Sequence, residues 1–285
     1  MNISFSFIFK NGGNEDIMSN EIRGYGWRPV IQTNRGKYLP AQNKIKSGLF
    51  ARAEIKNHME KYGVDLSCCE PDDATAYENF SDYLSRSFKE GERPVDADPN
   101  ALICPCDGYL TAHFINNLCT IAVGGHMYSV EKLLDHDASA KEFAGGLALI
   151  FRIDDADPHR FIQIDDGMIE DYQTLSPEKN QENSLFFGPR CYTLMNLKHF
   201  HTVAQIEACG NPKGVEQFAP EGEQPVFDKG QVKGRFLCSP AGIILLFKKG
   251  MVFPDDEFMA NTRRGLETRV RMGEKIGIAI AASLS

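Results

Sequence analysis

Two patterns of apolar and polar positions divide the chain near Arg93. Before it, apolar residues recur at helical spacing. Phe50, Ala53 and Ile55, then Met59 and Tyr62, predict a helix over Leu49–Tyr62 that ends at Gly63, the usual residue just past a helix C-terminus. Tyr77, Phe80, Leu84 and Phe88 recur every three or four residues and predict a second helix over Asp73–Phe88, with Asp73 as its cap. Beyond Arg93 short apolar runs alternate with Gly, Pro, Asn and Asp. These runs are Ala101–Cys104, Tyr109–Phe114, Cys119–Val123, Leu147–Ile153, Phe161–Ile164, Cys191–Met195, Thr202–Ile206 and Gly242–Phe247, and they predict strands. One short helix is expected at Ser129–Leu134, and the polar stretches 171–184 and 211–228 are expected as loops. The fold class that follows is α+β, with N-terminal helices packed on a β-rich core of short strands. Residues 1–20 read as a tail. Gly24, Gly26, Pro29, Gly36 and Pro40 mark an irregular continuation, so the organisation is an arm over 1–48 and one domain over 49–285.

Composition narrows this picture. The chain has 285 residues, 42% hydrophobic and 25% charged, which excludes disordered and fibrous classes and leaves enough length for one large core. Its longest apolar runs, Ala241–Phe247, Phe143–Phe151 and Ile276–Ala282, are strand-sized and fall well short of the roughly 20 residues of a membrane-spanning helix. The N-terminus has neither a basic leader nor a small-residue cleavage site, so a cytoplasmic location is expected. The net charge of −8 argues against nucleic acid as a partner. It hides a basic segment: residues 21–61 hold nine Lys and Arg against three Glu, an excess of six positive charges, leaving −14 for the remainder. A solvated arm is the preferred reading of that segment, and peripheral attachment to an anionic membrane surface is the functional one. The eight cysteines show no zinc spacing, so no metal is expected, and reduced, partly buried thiols are the default.

Four motifs have residue types that carry chemistry. Cys104-Pro-Cys106-Asp107-Gly108 places a carboxylate on a turn beside a strand, where Asp-Gly is most often only a turn. Asp154-Asp155-Ala-Asp157-Pro-His159-Arg160 is a dense polar cluster between strands, in which a His beside an Arg suits acid, base or anion-anchoring work. Lys229 to Gly242 turns sharply into the buried run Ile243–Phe247. Arg271 to Gly277 reads as strand, turn, strand. Each signal is weak alone.

In order, they are stronger. From about Lys61 to Ile278 the chain resembles the phosphatidylserine decarboxylases. The resemblance rests on Tyr77-Glu-Asn-Phe80 through Arg86, Arg93-Pro-Val-Asp96, Pro105-Cys-Asp107-Gly108, Gly125-His-Met-Tyr128 through Leu134, and Phe143-Ala-Gly-Gly146. It continues through Asp157-Pro-His159-Arg160, Lys229-Gly230, Gly234-Arg-Phe236, Ile244-Leu-Leu-Phe247 and Met272-Gly-Glu274. Such proteins are made as proenzymes that cut themselves at a Gly-Ser bond, and the serine becomes an N-terminal pyruvoyl group that serves as electron sink. The resemblance implies that Asp107 is the orienting aspartate of the self-cleavage triad and His159 the histidine of decarboxylation, with Arg160 its neighbour. It also implies a phospholipid or small amine-bearing acid as ligand, and it admits a homo-oligomer.

Two parts of the implied machinery are missing. The base expected three residues after His159 is Ile162. The processing site reads Cys238-Ser239-Pro240-Ala241-Gly242; counting back from Phe247 puts Ala241 at the serine position, and counting forward from Phe236 puts Pro240 there. Ser239 is the remaining hydroxyl, and it serves only if the loop has slipped. His199 and His201 would replace the base only if folding brought one of them beside Asp107. The leading expectation is a lipid- or small-ligand-binding pseudoenzyme that keeps the fold and has lost self-cleavage, with Arg160, Cys238 and Ala241 lining the ligand site and no cofactor. The alternative is a working decarboxylase with a pyruvoyl group made from Ser239. A third reading is other chemistry at Cys238 or Cys106.

Overall fold

A computed structural model describes residues 22–23, 28–32, 49–123, 126–135, 138–176, 185–211, 213–218 and 225–280. Most of the expected arm, and with it much of the basic 21–61 segment, lies outside these residues. Ten antiparallel strands form the main sheet. Their spatial order is Ile22–Arg23, Pro29–Gln32, Leu266–Val270, Gly108–Phe114, Leu147–Ile153, Ala241–Phe247, His201–Cys209, Arg190–Leu197, Gly167–Leu175 and Val226–Phe227. Pro29–Gln32, within the expected arm, is thus hydrogen-bonded into this sheet beside Leu266–Val270.

The centre of the sheet is buried on both faces. Ile153, Phe151, Ala241, Ile243, Leu245, Phe247 and Val203 face one core, which Phe161 and Phe236 cover from one three-stranded sheet, Leu102 and Ile276 from another, and Phe258 from the helix Asp256–Arg263. Ile150, Ile244, Leu246, Ala204 and Ile206 face the other core, which Tyr128, Leu133, Phe143 and Phe186 cover. Double coverage explains why AGIILLF is a continuous apolar run, since neither face needs polar positions. Each buried Leu or Ile contributes roughly 1.5–3 kcal/mol. A third cluster, with Ile55, Leu66, Tyr77, Tyr83 and Leu84, joins the helix Leu49–Tyr62 to the segment that follows it.

The helix Leu49–Tyr62 and the strand Leu147–Ile153 have the limits the pattern predicts. The second expected helix does not form as one piece. Asp73 caps a short turn, Ala74–Ala76; Tyr77 is extended; Asn79 caps a new helix, Phe80–Leu84; and Ser87–Phe88 is a strand. Two competing caps within one apolar periodicity break it. The loop expected over 171–184 is also corrected: its first residues belong to the strand Gly167–Leu175, where Tyr172 pairs with Thr193. Among the described residues no helix is long and apolar enough to cross a membrane.

Gly108 sits where the sheet tolerates no side chain. Its φ is +151°, and a Cβ there would overlap the carbonyl oxygen of Arg152 on the neighbouring strand. Gly108→Ala should therefore cost about 3 kcal/mol or more, from backbone strain plus overpacking, read as a lowered urea midpoint; unchanged stability would contradict this register. His113, on the same strand, bonds Thr111 Oγ1 at 3.0 Å, and burial lowers its pKa to about 4. Between pH 6.5 and 4 the unfolded chain therefore binds more protons at this residue, so stability falls as pH falls through that window. The loss reaches about 3 kcal/mol at most, and His113→Gln should remove it from the pH–stability curve.

Candidate functional site

Antiparallel order gathers the motif loops at one end of the sheet. Gly108 begins its strand, Ile153 ends the next, and Ala241 begins the third. Ile153 pairs with Ala241, Ala241 pairs with Cys209, and Val270 pairs with Gly108. Paired residues lie about 5 Å apart, so Gly108 and Ala241 are separated by about 10 Å across the intervening strand. The Asp107 turn, the 154–159 loop and the 237–240 loop therefore emerge side by side.

Asp107 is buried and fully engaged, but not by a histidine. Arg93 donates through Nε to Oδ1 at 3.0 Å and through Nη2 to Oδ2 at 2.6 Å, and the Met272 N–H donates to Oδ1 at 2.8 Å. The Arg93 guanidinium also lies 3.9 Å from the centre of the Phe88 ring. Burial works against the Arg93 charge, yet Asp107 outweighs it and the pKa is raised. Beside this turn the Ile162 N–H donates to the Pro105 carbonyl at 2.9 Å, while the Ile162 side chain is buried in the core.

His159 is fully buried, and neither ring nitrogen has a hydrogen-bond partner among the described residues. Its backbone is fixed on both sides: its N–H donates to the Leu84 carbonyl, and its carbonyl accepts from the Phe236 N–H, each at 2.7 Å. Burial, then the neighbouring Arg86 charge, lowers its pKa, against the pull of Asp155 and Asp157. The ring is therefore neutral at neutral pH. Arg86, itself buried, donates to the carbonyls of Tyr83 and Ala156 and so ties the helix Phe80–Leu84 to the 154–157 loop. Arg160 donates through Nε to the Ser85 carbonyl at 2.6 Å and lies opposite Arg235, which is itself held by Asp82 and Glu216. Burial and Arg235 lower the Arg160 pKa.

Ser239 donates its hydroxyl to Asp155 Oδ1. Burial would raise the Asp155 pKa, but hydrogen bonds from Ser239 and Tyr62, with His159 and His58 nearby, outweigh it and lower the pKa. His58 Nδ1 lies 3.1 Å from the Tyr83 hydroxyl, and burial lowers the His58 pKa to about 4. The structure thus groups Ser239, Asp155, His159, His58 and Tyr62, while Asp107 turns to Arg93. Ala241 has no exposed surface.

Cys238 corrects the expectation of reduced thiols, because it forms a disulfide with Cys209, Cα–Cα 6.4 Å. Cys106 is free but fully buried, and burial and then Asp107 push its thiol pKa well up, the opposite of what a nucleophilic thiolate requires. Neither histidine offered as a replacement base reaches Asp107. His199 Nδ1 bonds Asp165 at 2.9 Å. His201 opens the strand that ends at Cys209, which places it about 27 Å along that strand from the row holding Ala241.

Sequence reading missed Arg93, Arg86, Tyr62 and His58 as site residues. All four come from the N-terminal segments; Arg93 meets Asp107 14 residues on and Arg86 meets Ala156 70 residues on, and no local spacing predicts either contact. Asp155 lay within the recognised polar cluster, but its pairing with Ser239 is purely tertiary. Beneath these loops Arg269 clamps Asp157, Arg152 bonds Glu267 at 2.9 Å, and the Tyr109 ring lies between the two guanidiniums.

Known proteins match the sequence over most of the chain. The family described as phosphatidylserine decarboxylase matches residues 80–278. A phosphatidylserine decarboxylase proenzyme of Clostridium perfringens (strain ATCC 13124) is 31% identical over 239 residues, covering 80% of each chain. One from Clostridium novyi (strain NT) is 34% identical over 215 residues, covering 70% of this chain and 71% of its own. One from Ruminiclostridium cellulolyticum is 30% identical over 274 residues, covering 88% of this chain and 90% of its own. With its motifs at one sheet end and its length shared with these proenzymes, the chain belongs to the phosphatidylserine decarboxylase family.

Proposed function

We propose that this family member keeps the scaffold and a ligand site at the 154–159 and 237–240 loops but does not cut itself, and acts as a lipid- or small-ligand-binding pseudoenzyme. The observation that carries this reading is the register of Ala241, the first residue of a central strand paired on both edges. On the family's pattern this is the serine position, and a methyl group has no oxygen to attack a peptide bond or to become a ketone. The residues therefore do not fit a pyruvoyl group at 241. The base position supports the same reading: Ile162 packs in the core beside the Asp107 turn. Asp107, with no histidine to orient, has its charge met by Arg93.

What remains suits recognition of an amine-bearing acid. Asp155 is an ionised carboxylate at the loop surface, fit for an ammonium group, with Arg86 and neutral His159 behind it. Arg52, Lys56 and Lys61 are exposed on the helix Leu49–Tyr62, the described part of the basic segment, and would favour approach to an anionic phospholipid surface.

One observation favours the alternative, an active decarboxylase whose pyruvoyl group comes from Ser239. That hydroxyl is held by a carboxylate beside a histidine. Magnitudes weigh against it. An alcohol proton and a carboxylate of lowered pKa differ by about ten pKa units or more, each worth about 1.4 kcal/mol, so Asp155 orients Ser239 without activating it. His159, a better base, makes no hydrogen bond to Ser239.

The double substitution Ile162→His with Ala241→Ser tests the proposed reading. It should restore slow self-cleavage between positions 240 and 241, visible as two chains on a denaturing gel, while each single substitution stays whole. A double variant that is folded by circular dichroism yet remains intact would count against the assignment of these positions.

A further inference from the structure

The sequence holds one adjacent cysteine pair, which the site at the 154–159 and 237–240 loops leaves unused. Cys68 and Cys69 lie where the helix Leu49–Tyr62 leads on to the strand Cys69–Glu70. Along a regular strand neighbouring side chains point to opposite faces. Here residues 67 and 68 form a turn instead, closed by the Cys69 N–H on the Leu66 carbonyl at 2.8 Å. The two Sγ atoms come to 3.9 Å, and both thiols are free. The backbone beside them is pinned, since the Cys68 carbonyl accepts from the Lys89 N–H at 3.0 Å and Cys69 pairs with Phe88.

The two thiols have different settings. Cys68 is partly exposed, whereas Cys69 is 1% exposed in the cluster with Leu66, Tyr77 and Tyr83. Burial pushes the Cys69 thiol up to about 11, against the pull of Arg86. On the Cys68 side stands Arg93, whose pKa is raised, against burial, by Asp107 and then by Cys68. An accessible thiol near a cation, with a second thiol beside it to resolve the first product, is the pattern of a redox-sensitive pair. The other free cysteines lack this combination: Cys104, Cys106 and Cys191 are buried, and the partly exposed Cys119 donates to the Ala140 carbonyl at 3.1 Å. Across a trans peptide neighbouring Cα atoms are about 3.8 Å apart, less than the roughly 4.4–6.8 Å of an ordinary disulfide. A bond between Cys68 and Cys69 would therefore be strained, and strained disulfides are the easily reduced ones.

We propose that Cys68 and Cys69 form a reversible oxidation site for hydroperoxides, which convert the pair to a disulfide. The Cys68 thiolate attacks the terminal peroxide oxygen, an S–O bond forms, and the O–O bond breaks. The departing oxygen takes up the proton that the thiol gave to water and leaves as an alcohol or as water. The Cys69 sulfur then attacks the Cys68 sulfenic acid, the S–S bond forms, and the hydroxyl leaves with the Cys69 proton as water. The two thiols lose two electrons to the peroxide, and a dithiol restores them by exchange. The site is independent of whether the chain cleaves itself.

The test treats the full-length protein with a small excess of hydrogen peroxide, removes the excess with catalase, and alkylates with iodoacetamide under denaturing, non-reducing conditions. Trypsin cuts after Lys61 and Arg86, so both cysteines fall on the single peptide Tyr62–Arg86. Its doubly alkylated form should be lost and replaced by an unalkylated form lighter than the dithiol by two hydrogens, while Cys119 stays alkylated. Dithiothreitol added before alkylation should restore the doubly alkylated form. Cys69→Ser, if its melting transition shows a folded protein, should leave a Cys68 sulfenic acid that dimedone traps. A wild-type peptide that remains doubly alkylated after peroxide, or that gains oxygen without losing two hydrogens, overturns the proposal without recourse to any variant.

Discussion

The arrangement depends on the register of one strand. Ala241–Phe247 is buried at every residue and hydrogen-bonded on both edges, to Leu147–Ile153 and to His201–Cys209. A slip of one residue would exchange Ile243, Leu245 and Phe247 with Ile244 and Leu246 between two filled cores, at a cost of many buried side chains. Ser239 lies two residues before the first paired position of this strand, so it does not occupy the row of Ala241. The same pairing lines up Gly108, Ile153 and Ala241 at one sheet end, so three loops distant in sequence meet there. Family membership and the proposed loss of self-cleavage draw on this one constraint, the first through where the motifs gather and the second through which side chain begins the strand.

Around this row the charges are arranged to be satisfied rather than reactive. Asp107 is clamped by Arg93, Asp157 by Arg269 and Glu267 by Arg152. Breaking such buried pairs from one side costs several kcal/mol. His159 differs, being buried and neutral with no ring partner among the described residues. Asp155 differs as well, since it stays ionised at the loop surface with a serine in its grasp. On the proposed reading these two residues and Arg86 are what the fold still offers a ligand, in a site whose covalent machinery has gone.

Much of the fold was legible in the sequence because burial patterns are local. Phe50 to Tyr62 at helical spacing, and LALIF as an unbroken apolar run up to Arg152, were both legible from local pattern. Asp73–Phe88 misled because its apolar periodicity persists across Tyr77 and Asn79, where capping chemistry restarts the chain. The helix Asp256–Arg263 was overlooked, since only Phe258 and Met259 give it an apolar face. Of the site, Asp107 and His159 were visible through motif resemblance. Arg93 on Asp107 and Asp155 on Ser239 were not, because each joins segments that meet only when the chain folds. The Cys209–Cys238 disulfide was invisible for the same reason: no spacing links residues that lie on different strands and loops.

The proposed absence of self-processing is tested most directly by the intact mass of the purified wild-type protein under denaturing, reducing conditions. A single species with the mass of all 285 residues in one chain is the expected result. Two species parting between Cys238 and Ser239, the smaller one blocked at its N-terminus, would contradict it and establish Ser239 as the precursor of the family's cofactor.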